Sequence, residues 1–103
     1  MKLQLNPKNR KFIEIPIEDE NGEVIETLKY FERNTKQIKS VKKASKTKSV
    51  LEVDELNQQI FLENLKGSKE TIDKIVNFYE EHGNIVDFIN DCDEAMGKLK
   101  KRG

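Results

Sequence analysis

Residues 11–31 read KFIEIPIEDENGEVIETLKYF, and this stretch decides how the chain begins to fold. Apolar and polar residues alternate from Lys11 to Glu18, a pattern typical of a strand with one buried face. A second strand-like run, Val24–Phe31, follows the dipeptide Asn21-Gly22. Asn and Gly tolerate the positive φ angles that a two-residue hairpin turn requires. The stretch therefore predicts a β-hairpin.

A two-residue turn also sets which residues face each other across the hairpin. Pairing Glu20 with Glu23 predicts four further cross-strand pairs: Phe12 with Phe31, Ile13 with Tyr30, Glu14 with Lys29, and Ile15 with Leu28. One face of the hairpin is then apolar, and a glutamate faces a lysine on the other, as cross-strand pairs prefer.

The position of Pro16 indicates where the first strand lies in its sheet. Proline has no backbone N–H, so a strand that contains it is expected at a sheet edge. Two strands alone are marginally stable, and Lys2–Leu5 is a candidate third strand. The hairpin must otherwise pack its apolar face on helices or on another copy of itself.

Charge divides the chain into three parts, residues 1–32, 33–48 and 49–103, of which the middle one is strongly basic. Residues 33–48 carry seven basic side chains and no acidic one, although the 19 basic and 19 acidic residues of the whole chain cancel. Only Ile38, Val41 and Ala44 are apolar in this basic segment. It is predicted as a short helix that begins after Asn34 or Thr35, with a helical end or a linker over 45–50.

The rest of the chain is predicted to be helical, because capping residues bracket three periodic segments. Asp54 is expected to cap a helix that ends at Gly67. Ser68 is expected to cap a second helix, which ends at Gly83, and Asn84 is expected to cap a third. Glycine just past each helix would supply the left-handed residue that closes it. The apolar stripes are, in chain order, Leu56, Ile60, Phe61 and Leu65; Ile72, Ile75, Val76 and Tyr79; and Ile85, Phe88, Ile89, Cys92, Met96 and Leu99.

These patterns predict a single α+β domain over residues 1–103, an N-terminal β-hairpin of two or three strands followed by three to four short helices. Its parts are the hairpin region 1–32, the basic helix or linker 33–50 and the helical region 51–103. No apolar run approaches the roughly 20 residues of a membrane span, and the first residues lack the apolar stretch of a signal peptide. A cytoplasmic location is therefore expected.

No residue pattern indicates catalysis, a cofactor or a metal site. Cys92 falls on an apolar helix stripe and is expected to pack in the core. His82 is placed in the last turn of a helix, where a partial positive charge favours the helix dipole. The carboxylates of residues 80–94 lack the spacing of a calcium loop and are expected on a solvated face. We expect a protein that is not an enzyme.

Two of the predicted helices carry apolar residues outside the single stripe that would face the core. Phe61 and Leu62 are adjacent on one helix, and Phe78 lies beside Tyr79 but off its stripe. Either a central helix is buried on both sides, or an apolar patch stays open for a partner. Under the second alternative, helix position marks the expected partner-binding residues: Phe61, Leu62, Phe78 and Phe88.

The second half of the chain also resembles a known family. The runs IFLENLKGSKE at 60–70, IVNFYEE at 75–81 and GNIVDFI at 83–89 are similar to the small tail assembly chaperones of long-tailed bacterial viruses. The resemblance covers 50–103 and, in outline, the hairpin. It implies a non-enzymatic protein of the host bacterial cytoplasm, made by a phage or prophage. Such a protein binds the helical tape measure protein in an apolar groove. Homo-oligomers are expected from the charge pattern, because the lysine-rich segment can dock on the acidic third part of the same chain or of a neighbouring copy.

The alternative function is a small nucleic-acid-binding or regulatory protein that acts through residues 33–48. Lysines along a helix can neutralise phosphates. Against this alternative, 33–48 contains no aromatic residue to stack on bases, and Arg33 is its only arginine.

Overall fold

The computed structural model describes residues 10–102, which form an α+β fold with one three-stranded antiparallel sheet and four helices. The sheet order is β1-β2-β3. In chain order the elements are β1 Phe12–Glu18, β2 Val24–Phe31, α1 Thr35–Thr47, α2 Val50–Asn64, β3 Leu65–Lys66, α3 Lys69–His82 and α4 Ile85–Arg102. The predicted fold class is confirmed.

The register of the hairpin is confirmed along most of its length. The observed pairs include Phe12 with Phe31, Ile13 with Tyr30, Glu14 with Lys29, and Ile15 with Leu28. The alternation of apolar and polar residues specifies this register, since a slip of one residue would turn the apolar face to solvent.

The turn of the hairpin differs from the prediction. The register shifts between Ile17 and Glu18, so Glu18 faces Val24 and the predicted pairing of Glu20 with Glu23 is wrong. Gly22 alone has positive φ, at +80°, among the residues that the structure describes. The Asp19 carboxylate accepts hydrogen bonds from the backbone N–H groups of residues 21 and 23, at 2.9 and 3.0 Å. This side chain stabilises a longer loop that sequence periodicity alone does not show.

The third strand comes from a different part of the chain. β3, Leu65–Lys66, pairs with β2, and it interrupts a region that was predicted to be helical throughout. The predicted strand Lys2–Leu5 lies outside the described residues. Within residues 10–102, β1 pairs only with β2, so Pro16 lies on an edge strand as expected.

Helices α1 and α2 form a hairpin joined by two residues. In α1 the Asn34 side chain accepts from the Gln37 N–H, and the Gln37 side chain accepts from the Asn34 N–H, a complete capping box. Helix α1 continues to Thr47 and α2 begins at Val50, so the chain from 45 to 50 is mostly helical and not a linker. The cap of α2 is Ser49, whose hydroxyl accepts from the Glu52 N–H, so the prediction that Asp54 caps this helix is wrong.

The caps of α3 and α4 are where the sequence places them. Ser68 accepts from the Thr71 N–H at 3.2 Å, and Asn84 accepts from the Val86 N–H at 2.9 Å. Gly83 follows α3 as predicted, but its φ of −163° is extended and not left-handed. The chain therefore leaves α3 in an extended conformation before it enters α4.

The core lies between the sheet and the helices α2 and α4. Its buried cluster consists of Leu28, Tyr30, Phe61, Leu65, Ile89, Cys92 and Met96. The isoleucines of β1, together with Ile72, Ile75, Ile85, Phe88 and Leu99, pack around it. Helix α1 packs mainly against α2, and Ala44 is its one buried residue.

Candidate protein-binding surface

A connected series of aromatic rings begins in the core. The rings of Tyr30 and Phe61 are 4.8 Å apart between centroids, and Phe61 contacts the edge of Phe88 at 5.6 Å. Tyr30 and Phe61 are almost completely inaccessible to solvent. Since offset and edge contacts of this kind suit the charge distribution of aromatic rings, the series holds α2 and α4 in a defined arrangement.

The same series continues to the surface at the corner between α3 and α4. Phe88 stacks on Tyr79 with centroids 5.4 Å apart and planes only 7° from parallel. Tyr79 then contacts Phe78 edge to face at 5.4 Å, and the Phe78 ring lies 5.4 Å from that of His82. Residues 78 and 82 share a helix face because they are four positions apart. We call Phe78, Tyr79, His82 and Phe88 the aromatic edge.

The four residues predicted to bind a partner have different environments. Phe61 is 0% exposed, so the prediction that it faces a partner is corrected: it is a core residue held between Tyr30 and Phe88. Phe88 is half-buried, and its ring links the core to the aromatic edge. Phe78 is 56% exposed and Leu62 is 39% exposed. Of the aromatic residues in the set, Phe78 therefore offers the most surface.

Acidic side chains surround the aromatic edge. Burial raises the pKa of Tyr79, and the charges of Asp91 and Asp87 add to that shift. Glu81 lies 3.6 Å from His82 across an exposed surface. Apart from His82, residues 80–94 contain no basic side chain. We call residues 80–94 the acidic segment, and its carboxylate residues are solvent-exposed, as expected.

One carboxylate of the acidic segment also has a structural role. Asp93 accepts a hydrogen bond from the Tyr30 hydroxyl at 2.6 Å, which ties α4 to β2. Burial and this hydrogen bond raise the pKa of Tyr30 well above its usual value. The phenol therefore stays protonated and keeps donating to the carboxylate at neutral pH.

The cysteine has the environment that the helix stripe predicted. Cys92 is 4% exposed, and burial, with smaller contributions from Asp93 and Asp91, raises the pKa of its thiol to about 12. A thiol with this pKa is almost entirely protonated at neutral pH and is a poor nucleophile. Across residues 10–102, no three His, Cys, Asp or Glu side chains are grouped so that they could hold a metal ion.

The lysines of α1 line a shallow depression on the surface of the basic segment, residues 33–48. Its volume is about 470 Å³, and its lining residues are Thr35, Lys36, Lys39, Ser40 and Lys43. All five are exposed and lie on one face of the helix. We call this surface, together with Lys42 and Lys46, the basic face of α1.

The sequence interpretation missed that Tyr79 and His82 belong to the same surface as Phe78. It assigned Tyr79 to the core stripe and His82 to the helix end. The spacing of four between Phe78 and His82 was a signal for a shared face. The stacking of Tyr79 on Phe88 had no such signal, because it depends on the angle between two helices.

Comparison of the chain with protein-family models, with curated proteins and with solved structures identified no match. Within the described part of the chain, none of the helices combines the length and the apolar content that a membrane span needs.

Proposed function

We propose that this protein is a non-enzymatic tail assembly chaperone of a phage or prophage, which binds a helix of the tape measure protein in the host bacterial cytoplasm. The observation that carries the proposal is the 56% exposed Phe78, held in place by the rings of Tyr79 and His82. The resemblance of residues 50–103 to such chaperones supplies the identity of the partner.

The aromatic edge has the properties of an anchor for an amphipathic helix. An exposed ring in a fixed position loses little conformational entropy when a partner covers it. Covering the exposed half of a phenylalanine contributes on the order of 1–2 kcal/mol, which is weak for a single site. A long partner chain with many equivalent helices compensates, since successive copies bind along the same molecule.

The charges around the anchor specify the chemistry of the partner helix. Carboxylates at Glu81, Asp87 and Asp91 favour a helix with lysine or arginine beside its apolar stripe. Leu62 is the second proposed contact, and Phe88 forms the half-buried base of the anchor. Self-association of the chaperone is part of the same proposal.

Co-expression with the tape measure protein from the same genome tests the proposal. A tagged chaperone is expected to retain the tape measure protein in the soluble fraction and to co-purify with it. Phe78→Asp should abolish co-purification, because it places a carboxylate in the apolar contact. Val50→Asp is the matched control: Val50 is 79% exposed in the first turn of α2, where an acidic residue suits the helix dipole.

Two outcomes would contradict the proposal. One is a tape measure protein that stays insoluble beside the folded wild-type chain. The other is equal co-purification with Phe78→Asp and with Val50→Asp. Far-ultraviolet circular dichroism of both variants checks whether they are folded, which separates lost binding from lost structure.

The second candidate function, nucleic-acid binding, is favoured by the basic face of α1. Five lysines project from it, and each can neutralise a phosphate. It takes second place because the segment has no aromatic residue for stacking and its one arginine, Arg33, already donates to Asn57 at 2.9 Å.

A further inference from the structure

The basic face of α1 has no counterion within the described part of the molecule. The one ion pair that involves residues 33–48 joins Lys48 to Glu52 at 3.9 Å, and both side chains are more than half exposed. Lysines three and four positions apart, such as Lys36 with Lys39 and Lys39 with Lys43, repel one another along the helix. An acidic surface placed against α1 would relieve that repulsion.

The acidic segment is the matching surface of the chain. It carries six carboxylates and no lysine or arginine, whereas residues 33–48 carry seven cations and no carboxylate. Asp93 accepts from Tyr30, and Glu94 pairs with Lys98 at 3.5 Å. The carboxylates left for a partner are Glu80, Glu81, Asp87 and Asp91. The two surfaces belong to different parts of the fold, since α1 packs mainly on α2 and the acidic segment spans the α3–α4 corner. Among residues 10–102, no ion pair joins them.

We propose that the basic face of α1 docks on the acidic segment of a second copy of this chain. The proposal rests on the self-association included in the proposed function and states which surfaces carry it. Because the contact joins two different surfaces, one copy in a pair keeps its acidic segment unused and the other keeps its basic face unused. Such a head-to-tail contact repeats until it closes into a ring or extends into a filament.

Helix α1 and the α4 part of the acidic segment are similar in length. The 13 residues of α1 span about 20 Å, and residues 85–94 of α4 span about 15 Å, at 1.5 Å per residue. Between the lysines, the hydroxyl groups of Thr35 and Ser40 line the same depression. The Thr35 hydroxyl can donate a hydrogen bond to a partner's carboxylate, whereas the Ser40 hydroxyl already donates to the Lys36 carbonyl at 3.0 Å.

Charge exchange between two variants tests this proposal. The first variant carries Lys36→Glu, Lys39→Glu and Lys43→Glu, which makes both surfaces acidic. The second carries Glu80→Lys, Glu81→Lys and Asp91→Lys, which leaves three carboxylates against three lysines and removes the net charge of the acidic segment. All six positions are exposed, so both variants should fold, and circular dichroism checks this.

Analytical ultracentrifugation of the whole chain supplies the measurement. At about 0.05 M salt the wild-type mass should exceed the 12.0 kDa of one chain at least twofold, and at about 0.5 M salt it should return towards one chain because the charges are screened. Each variant alone should sediment as a single chain at low salt. An equal mixture of the two should associate again, because the unchanged basic face of the second variant then meets the unchanged acidic segment of the first.

Three results would overturn the proposal. They are a wild-type chain that stays at 12.0 kDa at low salt, variants that associate like the wild type, and a mixture of variants that stays monomeric. A wild-type chain that is monomeric but binds a single-stranded oligonucleotide would assign the basic face to nucleic acid instead. Tape measure binding by the first variant, which keeps Phe78, is measured separately, so failure of self-association is distinguishable from failure of the chaperone proposal.

Discussion

Replacing Phe61 by alanine should destabilise the fold strongly, whereas the same change at Phe78 should not. Phe61 is 0% exposed and contacts the rings of Tyr30 and Phe88, so its removal leaves a cavity between β2, α2 and α4. Truncations of this kind cost about 3–5 kcal/mol. Phe78 is 56% exposed, and full burial of a phenylalanine is worth about 1.5–3 kcal/mol, so the loss at this position is about 1 kcal/mol.

Urea unfolding followed by far-ultraviolet circular dichroism measures the free energy of unfolding of both variants. Domains of this size are stable by roughly 5–15 kcal/mol, so Phe61→Ala removes a large fraction of the free energy of unfolding. Phe61→Leu keeps most of the side-chain volume, and its expected cost of about 1–2 kcal/mol provides a second measurement. Equal losses at Phe61 and Phe78, or a larger loss at Phe78, would refute the division into a core ring and a surface ring.

Gly67→Ala should lower the melting temperature, because a Cβ at Gly67 would overlap the buried Leu28 side chain. Overpacking of this kind costs about 1–3 kcal/mol. An unchanged melting curve would disprove the close approach of Gly67 to Leu28. Hydrogen bonds from the Ser68 side chain and N–H lower the pKa of Glu26 from its usual 4.5. The ionised carboxylate therefore stabilises the fold above about pH 4.5, and this contribution is lost as the pH falls further. In Glu26→Gln the free energy of unfolding should depend less on pH in the acidic range. The raised pKa of Tyr30 gives the opposite pH dependence. The protonated phenol stabilises the fold below pH 10, and this contribution is lost as the pH rises further. Urea titrations at alkaline pH should show that loss in the wild type and a weaker one in Tyr30→Phe.

Local patterns determined much of the fold. The period of two along 11–31 specified the strands and the pairing of residues 12–15 with 28–31, because a shift of one residue would expose the apolar face. Ser68 and Asn84 marked the starts of α3 and α4, because each side chain bonds to a backbone N–H only two or three residues away. Such interactions are contained in a few consecutive residues, so the sequence reveals them.

Competing caps were harder to distinguish from the sequence. Ser49 and Asp54 are both good N-cap residues, and the helix begins at the earlier one. Beginning there places Val53, which is partly buried, within α2. The sequence also contains a local signal for the earlier start that the prediction overlooked, since Ser49 and Glu52 have the spacing of a capping box and their side chains are hydrogen-bonded at 3.1 Å.

The candidate site depended most on tertiary structure. Phe61 and Leu62 are neighbours on one helix, yet Phe61 is fully buried and Leu62 is 39% exposed, because the sheet and α4 cover only one side of α2. Periodicity places residues on a common face, but the elements that cover that face come from distant parts of the chain. The sequence by itself determined the two strands of the hairpin, most helix starts and the separation of charge. Only the tertiary structure decided that Leu65–Lys66 forms the third strand and that Phe78 stays at the surface, because pairing and exposure depend on what packs nearby.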